Sequence, residues 1–443
     1  MSMTNSFQPG SAALSDHEKS MVERRARLLG PGYKLFYQQP IHMVRGEGVY
    51  LYDNEGNQYL DVYNNVPSVG HCHPYVNEAM IRQAGLLNSH SRYLHDNVLD
   101  YAEHLLSRFP AELGLSNAMF TCTGSEANDL AYRIAKLNTG GDGFIVTDLA
   151  YHGGTDAIAS MSPSLGEYVK LGANVRLVPA PNAFRGAADV GGEFANNVRA
   201  AAADLKQHGV QPAALLVDTI FSSDGVFSDP AGFLKEAVDV IHEFGGLFIA
   251  DEVQPGFGRT GEQFWGFQRH QVSPDMVTMG KGMGGGHPLA GVVARPQLLE
   301  ALGKSRYFNT TGGTAVSCAI GKSILEVIEN EALMENALDV GNYLIESLRA
   351  MMSQHEVIGD VRGAGLFIGL EIVTDRDSNN ASESIATEVV NELRQKRVLL
   401  SSAGPGANVL KIRPPLPFSR DNADQFLQSL DEVLGSVQHR AQR

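Results

Sequence analysis

The chain is poor in cysteine and tryptophan and has no long apolar run. Its 443 residues hold three cysteines, Cys72, Cys122 and Cys318. They are odd in number and far apart, which fits neither a disulfide framework nor zinc-site spacing, so a reducing, cytoplasmic compartment is expected. The absence of any stretch of about 18 apolar residues argues against a membrane-spanning helix. The opening MSMTNSFQPGSAALSDHEKS is polar and lacks the apolar core of a secretory leader. Positive charge is in deficit: 35 Lys and Arg stand against 50 Asp and Glu, a formal charge of −15. Neither nucleic acid nor an anionic membrane is an expected partner, although such a balance is compatible with one local basic pocket. Internal repeats and low-complexity tracts are also absent.

What is present is a globular composition, 43% hydrophobic with 47 glycines spread throughout. The length suits a large core and either two domains or one domain with an extension. Runs flanking Asp53-Asn54-Glu55-Gly56 read as a β-hairpin. In the middle, AMFTC (118–122) precedes SEANDLAYRIAKL, with helical spacing at Leu130, Ile134 and Leu137. GFIVTD, AALLVD and GLFIAD are apolar runs ending at Asp148, Asp218 and Asp251. Buried runs alternating with helices predict a mainly parallel α/β sheet. Ligands bind at the carboxyl ends of such strands, so the three aspartates are expected to face one crevice with the segment after Cys122. After about residue 325 the texture changes. GAGLFIGLEIV puts Leu366, Ile368, Leu370 and Ile372 on one strand face, and two capped amphipathic helices follow. The expected division is an N-terminal segment (1–65) joining a small α+β domain (325–443), with a large domain at 66–324.

One lysine, Lys281, sits in MVTMGKGMGGGHPLAG among six glycines and no acid. Gly280, Gly282 and Gly285 match G-x-G-x-x-G, but Pro288 and a β-like run follow instead of a helix, so the dinucleotide reading is rejected. A flexible loop with a solvated lysine is the simplest account of such a stretch taken alone. The rest of the chain speaks against it. A pyridoxal phosphate enzyme needs a lysine to bond the aldehyde and a carboxylate to keep the pyridine nitrogen protonated. It also needs helix N-terminal amides for a dianionic phosphate and an aromatic cover. Lys281, Asp251, Gly124 with Ser125, and Tyr151 offer these parts in turn, and the glycines would let backbone approach the cofactor closely.

GHCHP, TGSEAND, YHGG, ADEVQPGFGRTG, MGKGMGGGHPLAGVV, TTGGTAVSCA, RGAGLFIGLEI and IRPPL occur in that order. By these motifs, from about residue 40 to 435, the chain resembles the class III (ω-type) aminotransferases, fold-type I pyridoxal phosphate enzymes. The resemblance implies a large domain with a mainly parallel sheet plus a smaller α+β domain. It makes Lys281 the lysine that bonds the cofactor and shuttles protons, and Asp251 the partner of the pyridinium nitrogen. Val253 would pack on the ring opposite Tyr151, Gln254 would reach the ring hydroxyl, and His152 would sit beside the cofactor, bonding locally. Gly124 and Ser125 would hold the phosphate. Thr310 stands where the family draws a phosphate-binding threonine from the partner subunit, which implies a homodimer with shared sites.

Two departures bear on the reaction. Where aminotransferases of this class carry Glu-Pro, whose glutamate parks a substrate-gripping arginine, this chain has Asp218-Thr219. The GGNP after the partner threonine has become Gly312 to Ala315, GGTA. With NNVPSVGHCHPYV and LNSHSRYLHDNVLDYAEHL, the chain resembles the phospho-lyase branch, the ethanolamine-phosphate and phosphohydroxylysine phospho-lyases. The implied activity is elimination of phosphate from a small phosphorylated amine such as O-phosphoethanolamine. The competing readings are a class III aminotransferase and a catalytically inactive binding protein; retention of Lys281, Asp251, Gln254, Gly124 and Ser125 speaks against the last. A second phosphate needs cations, and arginine's fork suits its oxygens. Arg92 and Arg413 are the first candidates, with Lys411, Tyr93 and Asn65 behind them. A loop arginine such as Arg92 is as readily a surface ion pair.

Other features read as structural. His71-Cys72-His73 lacks structural-zinc spacing, and no metal site is expected. Trp265 reads as core or interface, and VERRARLL as a solvated helix face.

Overall fold

A computed structural model describes residues 5–186 and 188–441. Residues 1–4, at the start of the polar opening, and 442–443, at the end of the C-terminal segment, lie outside the described residues, as does residue 187. A seven-stranded sheet forms the centre, in the order Asn117–Thr121, Ala290–Ala294, Met276–Met279, Leu247–Asp251, Pro212–Asp218, Gly143–Thr147, Val175–Val178. Ala290–Ala294 runs antiparallel to both neighbours, and the other pairs are parallel. Gly143–Thr147 is buried at every position, as a strand covered on both faces requires.

The helix Gly124–Thr139 begins directly after the first of these strands, with the Thr123 hydroxyl accepting from the Glu126 amide at 3.2 Å. It buries Ala127, Leu130, Ala131, Ile134 and Ala135, one apolar stripe at spacings of three and four. Leu137, expected on that stripe, is instead 50% exposed. The small residues Ala131 and Ala135 carry the contact, and Leu137 is rotated past its edge.

Two four-stranded sheets flank the centre. In one, Val398–Leu399 pairs in parallel with Gln58–Asp61 of the N-terminal hairpin, joining segments some 340 residues apart in sequence. In the other, Phe367–Ile372 pairs with Ile358–Ala364 and with Val409–Ile412. All of Phe367–Ile372 is buried. Alternation at Leu366, Ile368, Leu370 and Ile372 therefore does not mark a half-exposed strand, because helices cover one face and the large sheet's loops the other. The helix Glu383–Gln395 is capped by Ser382 and buries Ala386, Val389, Val390 and Leu393.

The features read as structural have ordinary partners. Trp265 is fully buried, stacks on Phe109 at 4.6 Å, and donates its indole N–H to the Arg108 carbonyl at 3.0 Å. His71 and His73 face different carboxylates, Asp61 at 2.8 Å and Glu331 at 2.9 Å. The helix Asp16–Leu29, which carries VERRARLL, buries no residue.

Candidate active site

The carboxyl ends of the central strands bring together Gly124, Ser125, Tyr151, His152, Asp251, Val253, Gln254 and Lys281 around a cavity of about 110 Å³, with Gly153 and Asp218 completing its wall. Asp148 is not among them. It ends Gly143–Thr147, two strands away from Asp251, and lines a separate cavity with Asn182, Arg185 and Asp224. The expectation of three aspartates in one crevice is thus corrected to two.

The glycines do the work of close approach. A Cβ on Gly124 would lie 3.0 Å from Val253 Cγ2. Gly153 has φ +146°, and a Cβ there would lie 2.5 Å from Ser125 Oγ, so only glycine fits. This lets the YHGG loop close on the helix N-terminus, where the Gly154 amide donates to Ser125 Oγ at 3.0 Å. The first-turn amides of Gly124 and Ser125 have no place in the helix ladder and are open to an anion. Lys281 itself has φ +42°, a conformation that costs a non-glycine residue about 1 kcal/mol. Ser68 Oγ, donating to the Gly282 carbonyl at 2.8 Å, pins the next residue of that turn.

Asp251 is 4% exposed and accepts from three donors. Asn128 Nδ2 lies at 2.9 Å and His152 Nδ1 at 2.7 Å from Oδ2, and the Val253 amide lies at 3.1 Å from Oδ1. The same Asn128 amide donates to the His152 carbonyl at 2.7 Å. Asn128 was not among the expected residues. Its position four residues after Gly124, on the same helix face, was the available signal.

Cations converge on the other side. Burial, then the Arg413 charge, lowers the Lys281 ammonium to about 8. Burial and Arg413 also push Lys411 well below the usual lysine range. Arg413 donates through Nη1 to Gln254 Oε1 and lies 4.4 Å over the Tyr63 ring, while its buried Nε has no partner among the described residues. Arg259, by contrast, is committed to the carbonyls of Pro414 and Leu366. Asn65 is buried with its Nδ2 unpartnered. Arg92, Tyr93 and Thr310 are on the exposed surface: Arg92 lies 3.8 Å over the Phe308 ring, and Tyr93 stacks on His90 at 5.0 Å.

Two further carboxyls were missed. Glu252 accepts from Thr219 Oγ1 and the Gly266 and Phe267 amides, and burial raises it to about 7. Asp224 is raised to about 7 in the same way. Nothing in their local sequence separates them from surface acids.

A lysine lowered to about 8 offers a neutral, nucleophilic amine near physiological pH. Capture of an aldehyde by cofactor-free protein is expected to accelerate with pH and level off above about 8, not near 10.5. Stopped-flow absorbance against pH checks this; a rate still rising at pH 10 would contradict it. The donor set fits pyridoxal phosphate: an amine, a fixed carboxylate and open helix amides line one cavity.

The chain matches the description Aminotransferase class-III over residues 35–434. It is 39% identical over 433 residues to the Drosophila melanogaster protein named alanine–glyoxylate aminotransferase 2-like, covering 94% of this chain and 87% of that protein. It is 36% identical over 453 residues to the Caenorhabditis elegans ethanolamine-phosphate phospho-lyase homolog 1, covering 97% and 96%. Among solved structures, a phospholyase from Arthrobacter in complex with phosphoethanolamine superposes with a TM-score of 0.91 at 40% identity, covering 94% of this chain and 99% of that one. The chain therefore belongs to the class III aminotransferases, fold-type I enzymes that work with pyridoxal phosphate.

Proposed function

We propose that the protein is a phospho-lyase that eliminates phosphate from a small phosphorylated primary amine, with O-phosphoethanolamine the first candidate. The observation that carries this reading is the pair Lys411 and Arg413, buried beside Lys281. Among the described residues, Lys411 is held by no side-chain hydrogen bond, and Arg413 meets a neutral amide and the faces of Tyr63 and Phe367. Lys411 is near Asp218 and Asp224, but Arg413 has no ion-pair partner among the described residues; a buried cation in that state is costly, and an anion entering the site relieves the cost. The names of the Arthrobacter and Caenorhabditis elegans proteins point the same way.

In this reading Gly124 and Ser125 hold the cofactor phosphate, Tyr151 and Val253 flank its ring, and Asp251 pairs with its ring nitrogen. Bound pyridoxal phosphate supplies an electron sink. Lys281 removes the proton from the carbon bearing nitrogen, and Arg413 and Lys411 hold the substrate phosphate on the next carbon. Cleavage of the C–O bond and hydrolysis give phosphate, acetaldehyde and ammonia.

Asp218 bears on the aminotransferase alternative, which the name of the Drosophila relative favours. A carboxylate that parked Arg413 would permit the exchange of two substrates. Asp218 accepts instead from Ser222 and from the Ile220 amide at 3.0 Å, and Gln254 intervenes before Arg413. This supports elimination.

We also propose a homodimer in which Thr310 reaches the partner's cofactor phosphate and Arg92 and Tyr93 border the partner's substrate entrance. Support comes from the exposed apolar residues on the same surface, among them Leu94 at 97% and Leu86 at 77% exposure. The domain limits 66–324 and 325–443, with 1–65 attached to the latter, belong to this proposal. So does a cytoplasmic location, which the three unpaired cysteines favour. Among the described residues, no helix is long and apolar enough to cross a membrane.

Cofactor-loaded protein incubated with O-phosphoethanolamine and no keto acid is expected to release phosphate and acetaldehyde in equal amounts. Turnover only when pyruvate and an amine are both supplied would return the protein to the aminotransferases.

A further inference from the structure

We infer that Ser222 is a positioning residue that, through Gln254, fixes Arg413 to receive the phosphate of the substrate; this rests on the phospho-lyase reading above. Ser222 is fully buried, four residues past the end of the strand Pro212–Asp218. Its amide donates to Asp218 Oδ2 at 3.1 Å, and its hydroxyl donates to the same oxygen. A hydroxyl has one proton. Once that proton is given to the carboxylate, Ser222 Oγ can only accept from its other neighbour, Gln254 Nε2. The amide of Gln254 is thereby oriented with its nitrogen toward Ser222 and its oxygen toward Arg413 Nη1.

The opposite orientation would set an NH2 group against a guanidinium, two donors with no acceptor between them. The direction of the relay therefore runs from Asp218 through Ser222 and Gln254 to Arg413. Its consequence is electrostatic. Arg413 is held in place by a neutral acceptor, so its charge is not cancelled by a contacting carboxylate. Its Nε remains buried and unpartnered. A guanidinium that is both fixed and uncompensated binds phosphate oxygens in its fork without first breaking an ion pair. Specificity for a phosphorylated amine then depends on a residue that never touches the substrate.

The test is calorimetric titration of the holoenzyme with inorganic phosphate, with cofactor absorbance as the control for an intact site. Ser222→Ala is expected to weaken phosphate binding about tenfold, and to raise KM for O-phosphoethanolamine more than it lowers kcat. Ser222→Thr, which keeps the hydroxyl, is expected to restore binding to within about threefold of the native protein. Gln254→Glu sets a carboxylate against Arg413 and is expected to weaken phosphate binding by about 100-fold; it decides the matter if Ser222→Ala does not fold. Equal phosphate affinity in native, Ser222→Ala and Gln254→Glu proteins would overturn the relay, as would a native holoenzyme that binds no phosphate. A native enzyme whose phosphate binding falls in Ser222→Ala but which releases no phosphate from phosphorylated amines would refute the lyase reading and uphold the relay.

Discussion

Lys281→Ala is expected to lower turnover by about 10⁴-fold or more, because in the proposed reading one amine both bonds the cofactor and moves the substrate proton. Lys411 is no substitute, being committed to a different sheet and facing Asp218 and Asp224. A second readout is independent of activity. Without a covalent link, the proposed contacts leave only the helix amides, Asp251 and packing to hold the cofactor, so its absorbance should disappear on dialysis that leaves the native protein coloured. Retained absorbance together with native turnover would remove Lys281 from the site.

Asp251→Asn is expected to lower turnover by about 10³-fold, the scale seen when one fixed electrostatic partner is removed from a catalytic site. The substitution is nearly isosteric, yet it is not mild. Oδ2 accepts from Asn128 and His152 at 2.9 and 2.7 Å. An asparagine could satisfy both only with its oxygen there, which would leave its NH2 toward the Val253 amide, another donor. The negative charge is lost in either orientation. Turnover and the cofactor spectrum measured together check this: a fall in turnover with a displaced absorbance band is expected, and an unchanged rate would place the cofactor's ring nitrogen elsewhere.

The parts of the site carried by single short segments were legible. Gly124 and Ser125 follow a strand and open a helix, and that local grammar is what marks them as candidates for an anion site. Asp251 ends an apolar run, and Lys281 stands in a glycine turn whose positive φ the structure then shows. Asp148 followed the same grammar and was misplaced. Strand order is set by which faces pack together, not by position in the chain. Gly143–Thr147 lies two strands from Leu247–Asp251, a lateral offset of roughly 10 Å. Leu137 failed for a similar reason. Periodicity marks a helix face, but the neighbouring sheet decides how wide the buried stripe becomes.

The sequence by itself marked the strands that end at Thr121, Thr147, Asp218 and Asp251, the helix after Thr123, the lack of disulfide and membrane-span patterns, and the residues proposed to contact the cofactor. These depend on hydrophobic period, capping and glycine freedom, all local in range. Only the tertiary structure decided that Asn128 and His152 clamp Asp251, residues 123 and 99 positions away from it. It alone set Ser222 and Gln254 between Asp218 and Arg413, and brought Lys411 and Arg413 within electrostatic reach of Lys281. Hydrogen bonds reach about 3 Å and buried charges interact strongly only at close range. Which groups come within that reach depends on how the sheets pack, which no short stretch of sequence specifies.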